Sequence, residues 1–290
     1  MRIAIFSRGP GLYSTRRLVA AATARGHAAD VIDHALCSPF LAGRKSTLLH
    51  NGSPLELPDV AIPRIGANIT TRGVSLIRQL DALSVPHTLS PDALLLARDK
   101  MSCLQVLAGA GIDVPRTVLC FSAWEARQVA RRLGPFPVVV KLLESTHGVG
   151  VALAHNLHQL DRVVEGFLQL QDRVLIQEYI RESKGCDQRA FVVGDEIVAV
   201  MERRAAPGEF RANIHRGASA VRIELDDASQ ELVRFTARTI GVEIAGVDLI
   251  QSRRGPLVME VNASPGLEGI EGATEVDIAG AIIRHAEQKI

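Results

Sequence analysis

Apolar residues fall at two different spacings along this chain, and their alternation organises the first hundred residues. Short apolar runs at Arg2 to Ser7, Ala29 to Ile32 and Asp59 to Ile62 have the length of buried strands, while Thr15 to Ala24 and Val74 to Leu83 repeat as helices. Ser14 is placed to cap the first helix and Gly26 to end it. Strand and helix in alternation imply a parallel sheet, so a small α/β domain is expected to end near residue 96.

From Ala97 a helical pattern carries Asp99, Lys100 and Met101, puts Lys100 in the first turn, and stops near Gly109 to Gly111. A strand at Thr117 to Cys120, a helix at Ala123 to Leu133, a strand at Pro137 to Leu142, a helix around Asn156 to Leu170 and a strand at Arg173 to Ile180 follow. Arg189 to Val193 and Ile197 to Met201 flank a Gly194-Asp195 turn and read as a hairpin. A second hairpin is predicted where Leu249 and Ile250, then Leu257, Val258, Met259 and Val261, flank Arg253-Arg254-Gly255-Pro256.

Chemistry enters where polar residues interrupt this pattern. If the second hairpin is symmetric about Arg254, Asp248 lies opposite Glu260, with Asn262 on the face of Glu260. Facing carboxylates repel unless a cation neutralises them. Oxygen donors without Cys or His suit a hard ion such as Mg²⁺; the alternative is a solvated acidic hairpin. Lys141 breaks the run VVVKLL. It either snorkels to water at the strand end or meets a phosphate, and the glycines and hydroxyls of the loop at 144–151 can bring backbone N–H groups to phosphate oxygens. The strand leaving through Gln177-Glu178-Tyr179 has backbone groups able to meet an adenine edge, or is a plain strand end. The loop Glu202 to Gly217 gathers Arg203, Arg204, Arg211 and Arg216 with Asn213 and His215. Guanidinium forks bind carboxylates or phosphates; otherwise the loop is a solvated basic one.

Composition narrows the field. With 47% hydrophobic and 22% charged residues the chain is an ordinary globular one, and 290 residues allow two or three compact units. Lys and Arg number 33 against 32 Asp and Glu, so no broad polyanion-binding surface, and no nucleic-acid partner, is expected. Cys37, Cys103, Cys120 and Cys186 form no CxxC pair, which fits buried thiols in a reducing cytoplasm. No run is long enough to span a bilayer and the apolar start is too short for a signal peptide, so a cytoplasmic protein without a membrane partner is expected. Neither GxGxxG nor GxxxxGK[ST] occurs. His147 and His215 are not spaced as zinc ligands, and no Ser-His-Asp or Cys-His set can be argued.

Taken in order, Asp99-Lys100, Lys141 with its Gly loop, Gln177 to Ile180, Asp187, the Arg203 to Asn213 loop, Asp248 and Glu260-Val261-Asn262 resemble the ATP-grasp carboxylate-amine ligases. The stretches ESKGCDQRAFVVGDEIVA, the ERRA at Glu202, FRANIHRGA, AGVDLI and GPLVMEVNASPGLEGIE, with LYSTRRL and the IPRIG at Ile62, are similar to the RimK-type glutamate ligases of a small-subunit ribosomal protein. That resemblance implies an α/β fold with an α+β ATP-grasp core. It divides the chain into an N-terminal Rossmann-like pre-ATP-grasp domain (1–96), a small lobe with a Gly-containing lid loop (97–183) and a large lobe with the metal site (184–290).

The resemblance also implies roles. Lys100 and Lys141 would bind ATP phosphates, Glu178 and Tyr179 would line the adenine, Asp187 would hold the ribose, and Arg211, Ala212 and Asn213 would touch nucleotide or substrate. Asp248, Glu260 and Asn262 would carry two Mg²⁺ or Mn²⁺ ions. ATP would phosphorylate a carboxylate to an acyl phosphate, which the amine of L-glutamate attacks. The acceptor would be the C-terminal tail of the ribosomal protein or a growing glutamate chain. Arg203, with Arg189 or Arg204, would stabilise the acyl phosphate or grip glutamate carboxylates. The family implies a homo-oligomer, a tetramer. Ser145 and Ala212 depart from the family's usual glycine and serine without removing an ionic contact. A sister ligase with another acid or amine, and a non-catalytic ATP-binding interaction protein, are the alternative readings.

Overall fold

The structure is a computed structural model and describes residues 1–143, 150–212 and 217–290. The chain begins with β1 (Arg2–Phe6), α1 (Tyr13–Ala24) and β2 (Ala28–Ile32). Ile3, Ala4, Ile5 and Phe6 are all buried, as a central strand covered on both faces requires. β3 (Cys37–Ala42), β4 (Lys45–His50) and β5 (Ser53–Pro54) form a small antiparallel sheet of their own, and β6 (Val60–Pro63) returns to pair with β1. The resulting sheet, β2-β1-β6, is parallel as predicted. Ser14 is not the cap of α1: the helix starts earlier, and the Ser14 hydroxyl accepts from the Leu267 N–H at 3.1 Å.

α2 (Thr70–Ala82) and α3 (Pro91–Arg98) complete this region, and α4 (Lys100–Gly109) follows at once. Asp99 caps α4, accepting from the N–H groups of Met101 and Ser102, and this fixes Lys100 as the first helical residue. Next come β7 (Thr117–Cys120), α5 (Ala123–Leu133), β8 (Val138–Leu142), β9 (Val151–Ala154), α6 (Leu157–Leu168) and β10 (Val174–Glu178). The four strands form an antiparallel sheet in the order β7-β10-β8-β9. Its helix-covered face is built from Val138, Val140, Leu142, Val174 and Ile176 against Ala126, Leu133, Leu160 and Val164. Alternation then turns Val139, Lys141 and Gln177 to the opposite face. The run around Lys141 is therefore covered by helices on one side only, and its other side lines a cleft.

The remainder comprises β11 (Cys186–Val193), β12 (Glu196–Arg204), β13 (Ser219–Arg222), α7 (Asp227–Ile240), β14 (Ile244–Ser252), β15 (Gly255–Asn262), α8 (Glu268–Thr274) and α9 (Ile278–Glu287). The strands make a five-stranded antiparallel sheet, β13-β12-β11-β14-β15. One face packs on α4 and α7 in a core that includes Phe6 and Ile77. The other packs on α8 and α9 in a core that includes Ile3, Ile5 and Leu18. The N-terminal sheet and the five-stranded sheet thus share both cores, whereas the four-stranded sheet has its own. The cysteines are unpaired, and burial pushes the thiols of Cys37, Cys103 and Cys120 up to about 11, about 12 and about 11.

Gly73 packs α2 directly on Ile65, and a Cβ there would be driven into that side chain. Gly73→Ala is expected to destabilise the protein by about 1–3 kcal/mol, although alanine is the better helix former. Urea unfolding checks this, and the double variant with Ile65→Ala should lose less than the sum of the two single changes.

Candidate active site

The N-terminal region, the four-stranded sheet and the five-stranded sheet together enclose a cleft of about 1770 Å³. Among the described residues nine Lys and Arg side chains line it against six Asp and Glu, a local excess of positive charge in a chain whose net charge is +1. Such a lining favours a polyanion.

The hairpin of β14 and β15 brings Asp248 opposite Glu260, as predicted, but by a different route. Ser252 pairs with Gly255 and Leu249 with Val258, so the turn is centred between Arg253 and Arg254. Continued without interruption, that register would set Asp248 against Met259. A bulge takes up Met259 as an extra residue, after which Asp248 meets Glu260 and Gly246 meets Asn262.

Register extends this pairing into a row of charges across the sheet. Arg203 on β12 pairs with Asp187 on β11, and Arg189 on β11 pairs with Asp248 on β14. Arg189 holds Asp248 with two bonds, Nε to Oδ1 at 2.7 Å and Nη2 to Oδ2 at 2.6 Å. Arg203 bridges the acids, donating from Nε to Asp187 Oδ1 at 2.6 Å and from Nη2 to Asp248 Oδ2 at 2.9 Å. Burial alone would raise the Asp248 carboxyl, but Arg189 and Arg203 outweigh it and hold it well below the usual carboxylate range. Asp187, which shares Arg203 with Asp248, is pushed up to about 6 by burial. The Arg203 guanidinium is raised, because Asp248 and Asp187 overcome its own desolvation.

These partners decide which oxygens are open to a cation. A carboxylate offers roughly four lone pairs, and Asp248 has three occupied by guanidinium donors. The Glu260 side chain is 43% exposed against 3% for Asp248, and Arg189 Nη2 lies 3.8 Å from its Oε1. Asn262 Oδ1 accepts one bond, from the Ser264 N–H at 3.1 Å. Glu260 and Asn262 therefore carry the open donors and Asp248 a residual one. Among the described residues no group of three or more His, Cys, Asp or Glu gathers as a metal cluster. The donor set fits a hard divalent ion that takes its remaining ligands from phosphate and water.

Lys141 donates from Nζ to Gln177 Oε1 at 2.7 Å, and Gln177 in turn donates to the Thr117 hydroxyl. Burial lowers the Lys141 pKa, Lys100 adds to the shift, and Glu260, Asp248 and Asp187 oppose it. The Lys100 ammonium donates to the Leu143 carbonyl at 2.7 Å. Tyr179 lines the cleft. Glu178 lines it too, while its Oε1 accepts from the Arg116 N–H and the Arg254 guanidinium. Arg211 is paired with Glu209 at 2.6 Å and reaches the Val151 carbonyl, and Ala212 beside it is buried at the cleft wall.

Arg204 pairs with Glu202 and lines a separate depression of about 320 Å³, not the cleft. Asn213 lies outside the described residues, as do Arg216, His215 and most of the Gly loop, 144–149. Arg203 and Arg189 reach the cleft but are already committed to carboxylates of the protein. Arg64 and Arg98, which also line the cleft, were given no role from the sequence; Arg64 follows directly on the apolar run of β6, an abrupt change of the kind that drew attention to Lys141.

A profile for the RimK-like ATP-grasp domain matches residues 97–286, and one for the RimK PreATP-grasp domain matches 1–94. A probable alpha-L-glutamate ligase of Cellvibrio japonicus (strain Ueda107) is 46% identical over 288 residues, spanning 99% of this chain and 96% of its own. A RimK domain ATP-grasp protein from Sphaerobacter thermophilus DSM 20745 superposes with a TM-score of 0.75 at 25% identity, covering 99% of each chain. The ATP-grasp ligase PsnB, solved with a phosphomimetic variant of its minimal precursor, Mg and ADP, shares the fold with a TM-score of 0.76 at 19% identity over 99% of this chain and 98% of its own.

Because Asp248 is buried between two guanidinium groups, its neutralisation is not a pure test of metal binding. Asp248→Asn should cost about 3–5 kcal/mol of stability by stranding Arg189 and Arg203. Glu260→Gln, at a half-open position, should stay within about 0.5 kcal/mol of the parent. Denaturant titration of the two variants separates these outcomes.

Proposed function

The chain belongs to the RimK-like ATP-grasp family and is an ATP-dependent ligase, and we propose that it joins the amino group of L-glutamate to the C-terminal carboxylate of a peptide. The acceptor in this reading is the tail of a small-subunit ribosomal protein or a growing glutamate chain. The observation that carries it is the positively lined cleft in which Lys100 and Lys141 stand near Asp248, Glu260 and Asn262. The glutamate ligase name of the Cellvibrio relative supports the amine substrate.

A carboxylate is a poor electrophile, and transfer of the γ-phosphoryl group of ATP to it makes an acyl phosphate and releases ADP. The glutamate amine then attacks that carbonyl, the amide forms, phosphate leaves and the amine gives up its proton. Lys100 and Lys141 hold the phosphates in this scheme. Glu178 and Tyr179 flank the base, Asp187 the ribose, and Arg211 to Asn213 the rest of the nucleotide or substrate. Glu260, Asn262 and Asp248 would hold the divalent ions, whose chemistry there would be to neutralise charge on the transferred phosphoryl group. Arg189 and Arg203 fix Asp248 in place and leave their remaining donors for the acyl phosphate. Arg204, outside the cleft, has no part in it. A glutamate-bearing product also agrees with the excess of cations, since both substrates and the nucleotide are anions.

Lys141→Ala should weaken binding of ATP with Mg²⁺ by about 1.5–3 kcal/mol, the worth of a charge-assisted contact; equilibrium titration with a non-hydrolysable analogue reads it. Glutamate should support ADP release far better than glutamine, because a neutral amide leaves cationic partners unsatisfied. Mass spectrometry should find acceptors lengthened by successive glutamate residues, and ATP consumption without such products would refute the substrate assignment.

A further inference from the structure

Arg64 and Arg98 line the cleft and have no part in the chemistry above. Arg64 follows β6, and Arg98 ends α3. Arg98 donates from Nη2 to the carbonyl of Ile65 at 2.5 Å, so its guanidinium docks beside Arg64. Arg64 Nη2 donates to the carbonyl of Pro265, in the segment just after Asn262. Among the described residues neither arginine has a carboxylate partner, and Arg98 Nε is buried without any hydrogen bond. Arg189, Arg203 and Arg211, by contrast, each hold an acid of the protein.

Burial pushes the Arg64 guanidinium down to about 10, and neighbouring Arg98 contributes; burial also lowers Arg98, while Glu260 opposes the shift. Both stay charged at neutral pH. Two adjacent, desolvated cations with unfilled donors are unfavourable by themselves, and an anion between them removes the repulsion while filling the forks. Both arginines line the same cleft as Glu260 and Asn262, and the Arg64 bond to Pro265, three residues after Asn262, sets this anion beside the proposed phosphoryl-transfer centre, on the side furnished by the N-terminal region.

We propose that Arg64 and Arg98 form a two-arginine fork that binds a carboxylate of a substrate, and that this fork, not Arg203 or Arg204, supplies the selectivity for an acidic substrate. The proposal rests on the ligase reading. A planar carboxylate matches guanidinium geometry, and two substrates bring one: the incoming L-glutamate and the acidic acceptor.

The test varies L-glutamate and a triglutamate acceptor separately in steady-state kinetics of Arg64→Gln, Arg98→Gln and Arg64→Lys, alongside binding of a non-hydrolysable ATP analogue with Mg²⁺. The KM for one substrate should rise roughly 10- to 100-fold in the Gln variants, with analogue affinity within about two-fold of the parent, as expected for loss of charge-assisted contacts. The substrate whose KM rises identifies the source of the carboxylate. Arg64→Lys keeps the charge without the fork and should restore only part of the loss, and circular dichroism with thermal unfolding confirms independently that each variant is folded. A parent active on glutamate with both KM values unchanged in the variants overturns the fork and leaves the ligase reading standing. A parallel loss of analogue affinity assigns the pair to phosphate and likewise overturns it. A parent that ligates no glutamate overturns the ligase reading and the fork with it.

Discussion

Two guanidinium groups share one buried carboxylate at the centre of the five-stranded sheet, and the geometry of the cleft floor follows from that sharing. Asp248 is almost wholly removed from water, which by itself would favour its neutral form; three hydrogen bonds from Arg189 and Arg203 keep it ionised. The arrangement needs three strands in register, because Asp187, Arg189, Arg203 and Asp248 come from β11, β12 and β14. It also needs space behind it. Gly246, paired with Asn262, sits so close that a Cβ would lie 3.1 Å from Pro265 Cβ and 3.5 Å from Arg189 Nε. A side chain there would press on the Arg189 fork and on the segment after Asn262 at once.

The cores explain which walls of the cleft are fixed with respect to each other. The N-terminal sheet contributes Phe6 to one core of the five-stranded sheet and Ile3, Ile5 and Leu18 to the other, so these two walls are bound through shared apolar packing. Glu271 adds a polar tie, accepting from Tyr13 and Arg17 of α1 and from the Ala279 N–H at the start of α9. The four-stranded sheet, which carries Lys141, buries its helices in a core of its own. A wall with a separate core can shift toward the cleft without disturbing the packing of the others.

How far the sequence could be read depended on whether local pattern or distant pairing decided each feature. Strands and helices with clean alternation, such as Thr117–Cys120 and Ala123–Leu133, appear where the pattern placed them. α3 was legible from Ser90 and Pro91 at its start, and α7 from Asp226 and Gly241 at its ends, though the apolar pattern alone did not single them out. β3 offered no such signal, being exposed along nearly its whole length. The facing of Asp248 and Glu260 was readable from symmetry, but the bulge at Met259 that produces it was not, since a bulge depends on twist and packing that composition does not record. Least legible were the arginine partners. Arg203 and Arg204 are neighbours in sequence, yet strand alternation sends one to the buried charged row and leaves the other exposed beside Glu202.

The division between lysine and arginine in the cleft has a physical logic. Arg189 and Arg203 use planar forks to fix acids that must not move, and each is oriented by more than one bond. Lys141 is bonded to a neutral amide, which orients an ammonium without neutralising it, and Lys100 donates to the Leu143 carbonyl. A point charge on a flexible stem can follow an anion that shifts position, which a rigid fork clamped on a protein carboxylate cannot do. The charges clamped on acids are therefore fixed and those of the lysines adaptable, and burial lowers the Lys141 pKa because an ammonium held away from water is costly.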